Sequence, residues 1–556
     1  MPAVTPKPRL LAPPRLGAIA GAFAFWVMSL WPTLLPRSVL VQAVVSALSA
    51  AFGWMIGSWA QWVYERATRT RLALRRRTWV AVATGLTVGS VPLLILWLRW
   101  QNEQRRSIGL AEGSAVQILT VAIATLILGA IFVLIGRIVY RLVWRIDHRI
   151  GRWIPFWWAR AVTVVVVIAL VIVGLDAVQG RFYTWADARF GVFNETTAEG
   201  VSQPSQAMVS GSPESVVPWH TLGLQGRSFV AGATPLEDLA AYSEEDGGIE
   251  EPIRVYVGLD SAPTPAARAD LVLAELDRTG AFERSVLVVA TATGTGWINP
   301  VAARALEYLH LGDTAIVSQQ YSFFPSWIAF LVDPALSPDT GQTVFNAVHA
   351  RWSELPVESR PRLVVFGESL GSYGTEAAFL DFDAPSSLAG FATRTEGALL
   401  VGPKASNPIL RQLISERDPG SPAWRPAIGD NPHLRVESRA DDVDGADTSW
   451  QEPRVLYMLH PTDAVSTWSV SHIWRRPDWA RPPVGFGVPE RVQWFPIVTW
   501  LGESADLMAG FSADPGFGHD YTDSFVASWS AIAPPPDWTD ATAARLEAHL
   551  VGLASP

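Results

Sequence analysis

Residues 363–378 read LVVFGESLGSYGTEAA. An apolar run of strand type, LVVF, meets a helix-like run, YGTEAAF, across the six residues GESLGS. These contain the G-x-S-x-G pattern, with Ser369 between Gly367 and Gly371. A nucleophile raised on such a turn needs small neighbours, because the turn is tight and the helix passes close to the strand. The backbone N–H of Leu370, at the helix start, would then face developing negative charge.

The surroundings of the motif repeat its strand-then-helix rhythm. Candidate strands are 253–259, 285–292, 314–321, 362–367, 397–402, 454–459 and 492–500, and helical stretches such as TPAARADLVLAELDRTG separate them. Apolar strands without polar alternation, spaced by helices, predict a parallel sheet covered on both faces. No internal repeat is present.

A serine hydroxyl at neutral pH is a poor nucleophile. It needs a base, and the base needs an orienting acid. In this architecture the chain order is serine, acid, histidine. Asp463, in HPTDAVSTW after strand 454–459, and His519, in the glycine-lined GFGHDY, stand in that order. Asp506 is the alternative acid, with Glu503 and Asp520 behind it. His433, His460 and His472 are the competing histidines. A second oxyanion donor is expected from TATGTGWINP, at Thr293 or Gly294. That loop has no G-K-[ST] after it, so it is no P-loop.

The first third of the chain is a different object. Residues 1–180 carry a net charge of +14 and the remainder −23. Five apolar runs, roughly 16–35, 39–63, 79–98, 115–139 and 161–178, are each near the ~20 residues needed to cross a bilayer. Arginines cluster in the N-terminal tail (Lys7, Arg9, Arg15), at 66–77 and at 141–160. Basic segments stay in the cytoplasm, so the N-terminus is expected inside and the chain after the fifth run outside. Flanking by apolar runs makes these arginines topology determinants, not a nucleic-acid surface. No acidic pair or broken helix inside the runs speaks for transport.

The expected organisation is a transmembrane domain over 1–180 with about five helices, a linker over 181–252 packing on the catalytic domain, and a catalytic domain over 253–556. The fold class is multi-domain: an all-α transmembrane part followed by an α/β-hydrolase part. The chain has no cysteine, which excludes disulfides, iron–sulfur clusters and thiol nucleophiles. No histidine or carboxylate spacing suits a metal, and the acidic DDVDGAD run (441–447) lacks the spacing and terminal Glu of an EF-hand loop. No cofactor is expected.

At this point the chain resembles a family: membrane-anchored bacterial alpha/beta-hydrolases with an N-terminal multi-helix domain and a C-terminal catalytic domain. The segments SGSPESVVPW, LGLQGRSFV, VYVGLDSA, TGTGW, DTAIVSQQYS, FGESLGSYG, HPTDAVSTW and GHDY carry the resemblance. It implies a serine-hydrolase fold in the bacterial cytoplasmic membrane, with Ser369, Asp463 and His519 as the catalytic positions. The chemistry expected is attack on an ester through an acyl-enzyme, on an acyl lipid or cell-envelope ester, with the lipid bilayer as partner. Acyl transfer by the same triad, or a non-catalytic membrane binding module, are the alternatives.

Overall fold

The computed structural model describes residues 15–71, 76–153, 156–243 and 248–554. Lys7, Arg9 and Arg75 of the basic segments, and 244–247 of the expected linker, lie outside these. The chain divides into two compact units. One comprises 1–182 together with 468–509; the other comprises 183–467 together with 510–556.

The first unit is helical: α1 (Leu16–Met28), α2 (Val39–Thr68), α3 (Arg76–Ser107), α4 (Val116–Ile150) and the start of α5 (Phe156–Glu195). Among the described residues, four helices are long and apolar enough to cross a membrane: Val39–Thr68, Arg77–Ser107, Val116–Ile150 and Ala161–Glu195. They mark a membrane protein. The first of the five expected runs forms a shorter apolar helix. α1 has only 13 residues, about 20 Å at 1.5 Å per residue, against about 30 Å of hydrocarbon. Pro32 and Pro36, which lack an N–H, follow its end.

α1 and α2 touch backbone to backbone. A Cβ on Gly17 would lie 2.5 Å from the Gly57 carbonyl oxygen, and Gly21 meets Gly53 in the same way. Two G-x-x-x-G faces are therefore packed on each other, the small-residue contact that apolar helices use where water supplies no driving force.

Residues 468–509 join this unit through residues 29–37 and the end of α3. The Leu34 N–H donates to Asp506 Oδ2 at 2.9 Å, and Arg37 Nε lies 3.9 Å from Asp506 Oδ1. Phe495 packs edge-on against Trp31 at 5.5 Å, and Arg491 pairs with Glu103 at 3.5 Å. The loop after α1 and the C-terminal end of α3 thus share one end of the bundle with 468–509.

The second unit is built on a seven-stranded, all-parallel sheet in the order β1-β3-β2-β4-β5-β7-β6. The strands are β1 (Ile253–Val257), β2 (Val286–Thr291), β3 (Thr314–Gln319), β4 (Arg362–Glu368), β5 (Gly397–Val401), β6 (Leu434–Glu437) and β7 (Arg454–Met458). β1, β2, β3 and β5 are buried at every position. That is why their sequences are apolar throughout instead of alternating. Part of 181–252 enters this core: Val209, Val217, Leu222 and Phe229 are buried in it.

One strand expectation fails. Residues 492–500 form no strand. Pro496 removes a ladder donor in mid-run, Ile497 is turned to φ +67°, and a helix runs from Val498 to Gly510. The seventh strand is instead β6, four residues long and interrupted by Arg435, too short for its pattern to stand out.

Candidate functional site

All seven strands point the same way, so their C-terminal ends share one edge. β4 is the middle strand. It pairs with β2 (Thr291 beside Gly367) and with β5 (Glu368 beside Val401). At its end the chain turns sharply into the helix Leu370–Glu376. Ser369 occupies the turn at φ 55°, ψ −118°, a backbone region costly for a side-chain-bearing residue, about 1–3 kcal/mol. Its N–H is held by the Val401 carbonyl at 2.9 Å.

The flanking glycines are required by contact. A Cβ on Gly367 would sit 2.6 Å from the Ser372 Cα, and one on Gly371 would press on the Thr291 and Ala292 carbonyl oxygens, the latter at 3.2 Å. These are backbone atoms with nowhere to go. The turn therefore closes only without side chains at those two places.

Asp463 follows β7, which is separated from β4 by β5 alone. Its carboxylate is fully buried and heavily bonded. Oδ2 accepts from His519 Nδ1 at 2.7 Å, from the Tyr521 hydroxyl at 3.0 Å and from the Ser466 hydroxyl at 3.0 Å. Oδ1 accepts from the Val465 N–H at 2.8 Å. These donors fix its orientation.

His519 is placed by its own loop. Its N–H donates to the Gly510 carbonyl at 3.0 Å, and Gly518 takes φ 55°. The ring is stacked edge-on with Phe511 and Tyr521. It also lies against β5's end: a Cβ on Gly402 would be 2.9 Å from His519 Cε1. Residues 401 and 402 thus touch both Ser369 and His519. Burial alone would lower the imidazole pKa, but the Asp463 charge and hydrogen bond, aided by Glu368 and Asp520, raise it above its ordinary value. Nε2 is buried and makes no hydrogen bond within the protein, so no bond from the Ser369 hydroxyl is formed in this state. Such contacts are often long before substrate binds.

The rival groups are occupied elsewhere. Asp506 serves Leu34 and Arg37, and Glu503 accepts from His472 Nδ1 at 2.7 Å and Trp479 Nε1 at 2.9 Å. Burial pushes Asp506 up to about 6 against the pull of Arg37. His460 bonds the Gly518 carbonyl and stacks on Tyr521 at 3.8 Å, and burial lowers it to about 4. Of the two expected second oxyanion donors, the Thr293 N–H is bonded to the Trp297 carbonyl (3.0 Å) and the Gly294 N–H to Ser326 Oγ (3.2 Å).

Three groups at this edge carried no sequence signal of their own. Glu368, inside the motif, is buried, and burial pushes it up to about 7 despite His519 and an Asn299 hydrogen bond. Tyr521 is two residues from His519, and its hydroxyl also accepts from the His460 N–H. Lys404 Nζ lies 3.3 Å and 3.8 Å from the Phe330 and Tyr373 ring centres; burial lowers it to about 7, opposed by Glu376. Among the described residues no group of three metal-ligating side chains comes together.

Two family models match the chain. The model described as an alpha/beta-hydrolase family matches residues 253–546, and that described as the alpha/beta-hydrolase family N-terminus matches 30–234. None of the curated proteins matches. Among solved structures, a Trichoderma reesei cutinase in complex with a C11Y4 phosphonate inhibitor is similar at 14% identity and a TM-score of 0.19, over 45% of this chain and 89% of that one.

Proposed function

The chain belongs to the alpha/beta-hydrolase family, and we propose that it is a membrane-anchored serine hydrolase acting on acyl esters of lipids or of the cell envelope. The observation that carries this reading is the 2.7 Å bond between His519 Nδ1 and Asp463 at the sheet edge where Ser369 is held in a strained turn. With Nδ1–H donated to Asp463, the free lone pair of His519 is on Nε2, the atom without a partner.

The steps follow. Ser369 Oγ attacks the ester carbonyl as Nε2 takes its proton. The oxyanion forms near the helix start and takes the Leu370 N–H as a donor. The imidazolium, stabilised by Asp463, returns the proton to the leaving alcohol, and the acyl group stays on Ser369. Water then repeats the sequence with the same base and frees the acid. Asp463 keeps its charge throughout.

The side of the membrane follows from charge. Arg66, Arg69, Arg71 and Arg77 cluster where α2 ends and α3 begins, and Arg141, Arg145, Arg149 and Arg152 lie in and just after the last part of α4. Both groups are at the bundle end opposite the one shared with 468–509. Basic loops face the cytoplasm, so α5 leaves the bilayer on the outer side and carries the catalytic unit there.

One experiment tests both statements. A membrane-impermeant fluorophosphonate is applied to intact cells making the full chain or Ser369→Ala. Labelling of intact cells that vanishes in the variant is the expected result. Labelling seen only after lysis would overturn the orientation and keep the serine. No labelling of folded protein in either preparation would overturn the hydrolase reading.

A further inference from the structure

The helix Ser326–Val332, sequence SWIAFLV, has two unlike faces. Ile328 and Ala329 are buried, at 1% and 2% exposure, whereas Trp327 and Leu331, one turn apart on the same face, are 59% and 58% exposed, and Val332 next to them is 38% exposed. The buried face packs against Tyr321 and Leu370, and Phe330 meets Tyr373 edge-on at 6.3 Å. The helix therefore lies over the start of the helix that follows Ser369.

Its neighbour on the other side is the last part of α5. The Tyr183 hydroxyl donates to the Leu331 carbonyl at 3.1 Å. Phe190 packs edge-on against Phe324 at 6.3 Å, just before this helix. α5 is one continuous helix from Phe156 to Glu195. Its apolar run ends near residue 178, and Arg181, Asp187 and Arg189 follow. At about 1.5 Å per residue, Tyr183 stands roughly 7 Å past the last apolar residue. The headgroup layer on each side of the hydrocarbon is about 5–8 Å thick. Tyr183 and Trp185 are the residue types that settle there. Leu331 is bonded to Tyr183 through its carbonyl.

We propose that the exposed face of this helix, Trp327 with Leu331 and Val332, is a second membrane contact that rests in the outer interfacial layer of the bilayer. An aromatic and two aliphatic side chains on one face are the composition that binds a lipid interface. The contact is continuous with the exit of a transmembrane helix, which selects lipid over a protein partner. Since its opposite face covers the start of the Ser369 helix, an ester carried by a bilayer lipid meets the nucleophile edge without leaving the interface. The proposal deepens the hydrolase reading in that respect. The contact itself rests only on the membrane residence of α5.

The chain contains no cysteine, so single-cysteine labelling needs no background removal. Leu331→Cys and Val357→Cys are labelled with the fluorophore NBD in the full chain, reconstituted in phosphatidylcholine–phosphatidylglycerol vesicles. Val357 is 73% exposed and precedes β4, at the sheet edge opposite Ser369. Both sites are exposed, so neither change disturbs packing. NBD at 331 is expected to lose at least half its intensity when the vesicles contain lipid with a nitroxide near the headgroup, and to be shielded from iodide. NBD at 357 is expected to show the reverse. Iodide quenching at 331 equal to that at 357, without nitroxide quenching, would overturn the proposal. Shielding of 331 from both quenchers would also overturn it, in favour of a protein occupant. Neither readout depends on Ser369 reactivity, so failure here and failure of the hydrolase reading are distinguished by the fluorophosphonate result.

Discussion

Replacing Asp463 by Asn changes one atom and tests the role given to the carboxylate. The site fixes which way the amide must lie. The Val465 N–H donates to Oδ1 at 2.8 Å, so the amide oxygen stays there. The amide nitrogen then takes the place of Oδ2, where three donors now converge from His519, Tyr521 and Ser466. The two hydroxyls can rotate to accept. The imidazole can accept only by moving its proton from Nδ1 to Nε2. Nε2 then has no lone pair for the Ser369 proton. In triads of this kind that change of tautomer lowers turnover about 10,000-fold, equivalent to roughly 5 kcal/mol of barrier. The acid limb should move as well. His519 is now raised by Asp463 against burial, and with the charge gone burial prevails, so what activity remains should persist to lower pH. The assay is the rate of fluorophosphonate inactivation, or of p-nitrophenyl butyrate hydrolysis, across pH for purified full-length protein. Activity above a tenth of the wild-type rate with an unmoved acid limb would refute the assignment. An equal loss in Asp506→Asn would refute it too.

Other perturbations have different signatures. Gly371→Ala should abolish labelling of Ser369 and lower thermal stability by about 1–3 kcal/mol, because its Cβ meets the carbonyls of residues 291 and 292; unchanged melting would contradict the close approach. Glu368 has its pKa raised from 4.5 to about 7 by burial, so its contribution to stability is complete below about 4.5 and is lost as pH rises towards 7. Glu368→Gln should therefore flatten the decline in melting temperature between those pH values, and an undiminished decline would count against the buried carboxyl as its source. Asp506→Ala leaves Arg37 buried without its counter-ion and should cost on the order of 3 kcal/mol in thermal unfolding. The folded fraction should still label at Ser369, and loss of labelling there would return Asp506 to the list of acids.

Much of this was legible along the chain because the relevant physics is local. A strand, a G-x-S-x-G turn and a helix occupy adjacent residues, and the glycines are demanded by atoms within a few positions of Ser369, with residues 291 and 292 the one distant exception. Apolar runs of membrane length likewise declare themselves. The order serine, acid, histidine left Asp463 and Asp506 both open, since either follows an apolar stretch. Tertiary structure separates them. Asp463 follows β7, which only β5 separates from β4, and reaches His519, while Asp506 is spent on Arg37, far away in sequence. The same holds for 468–509, which sits in the sequence of the hydrolase part yet packs with the membrane helices through a buried ion pair.

What the sequence alone determined, then, was the type of each segment: apolar span, buried strand, elbow. These are set by side-chain size, polarity and backbone freedom over a few residues. What only the tertiary structure decided was which distant groups meet: Tyr521 and Ser466 on Asp463, Glu368 beside His519, the helix Ser326–Val332 beside Tyr183. Those meetings depend on the register of a parallel sheet and on the summed burial of many side chains. No single stretch of the chain encodes them.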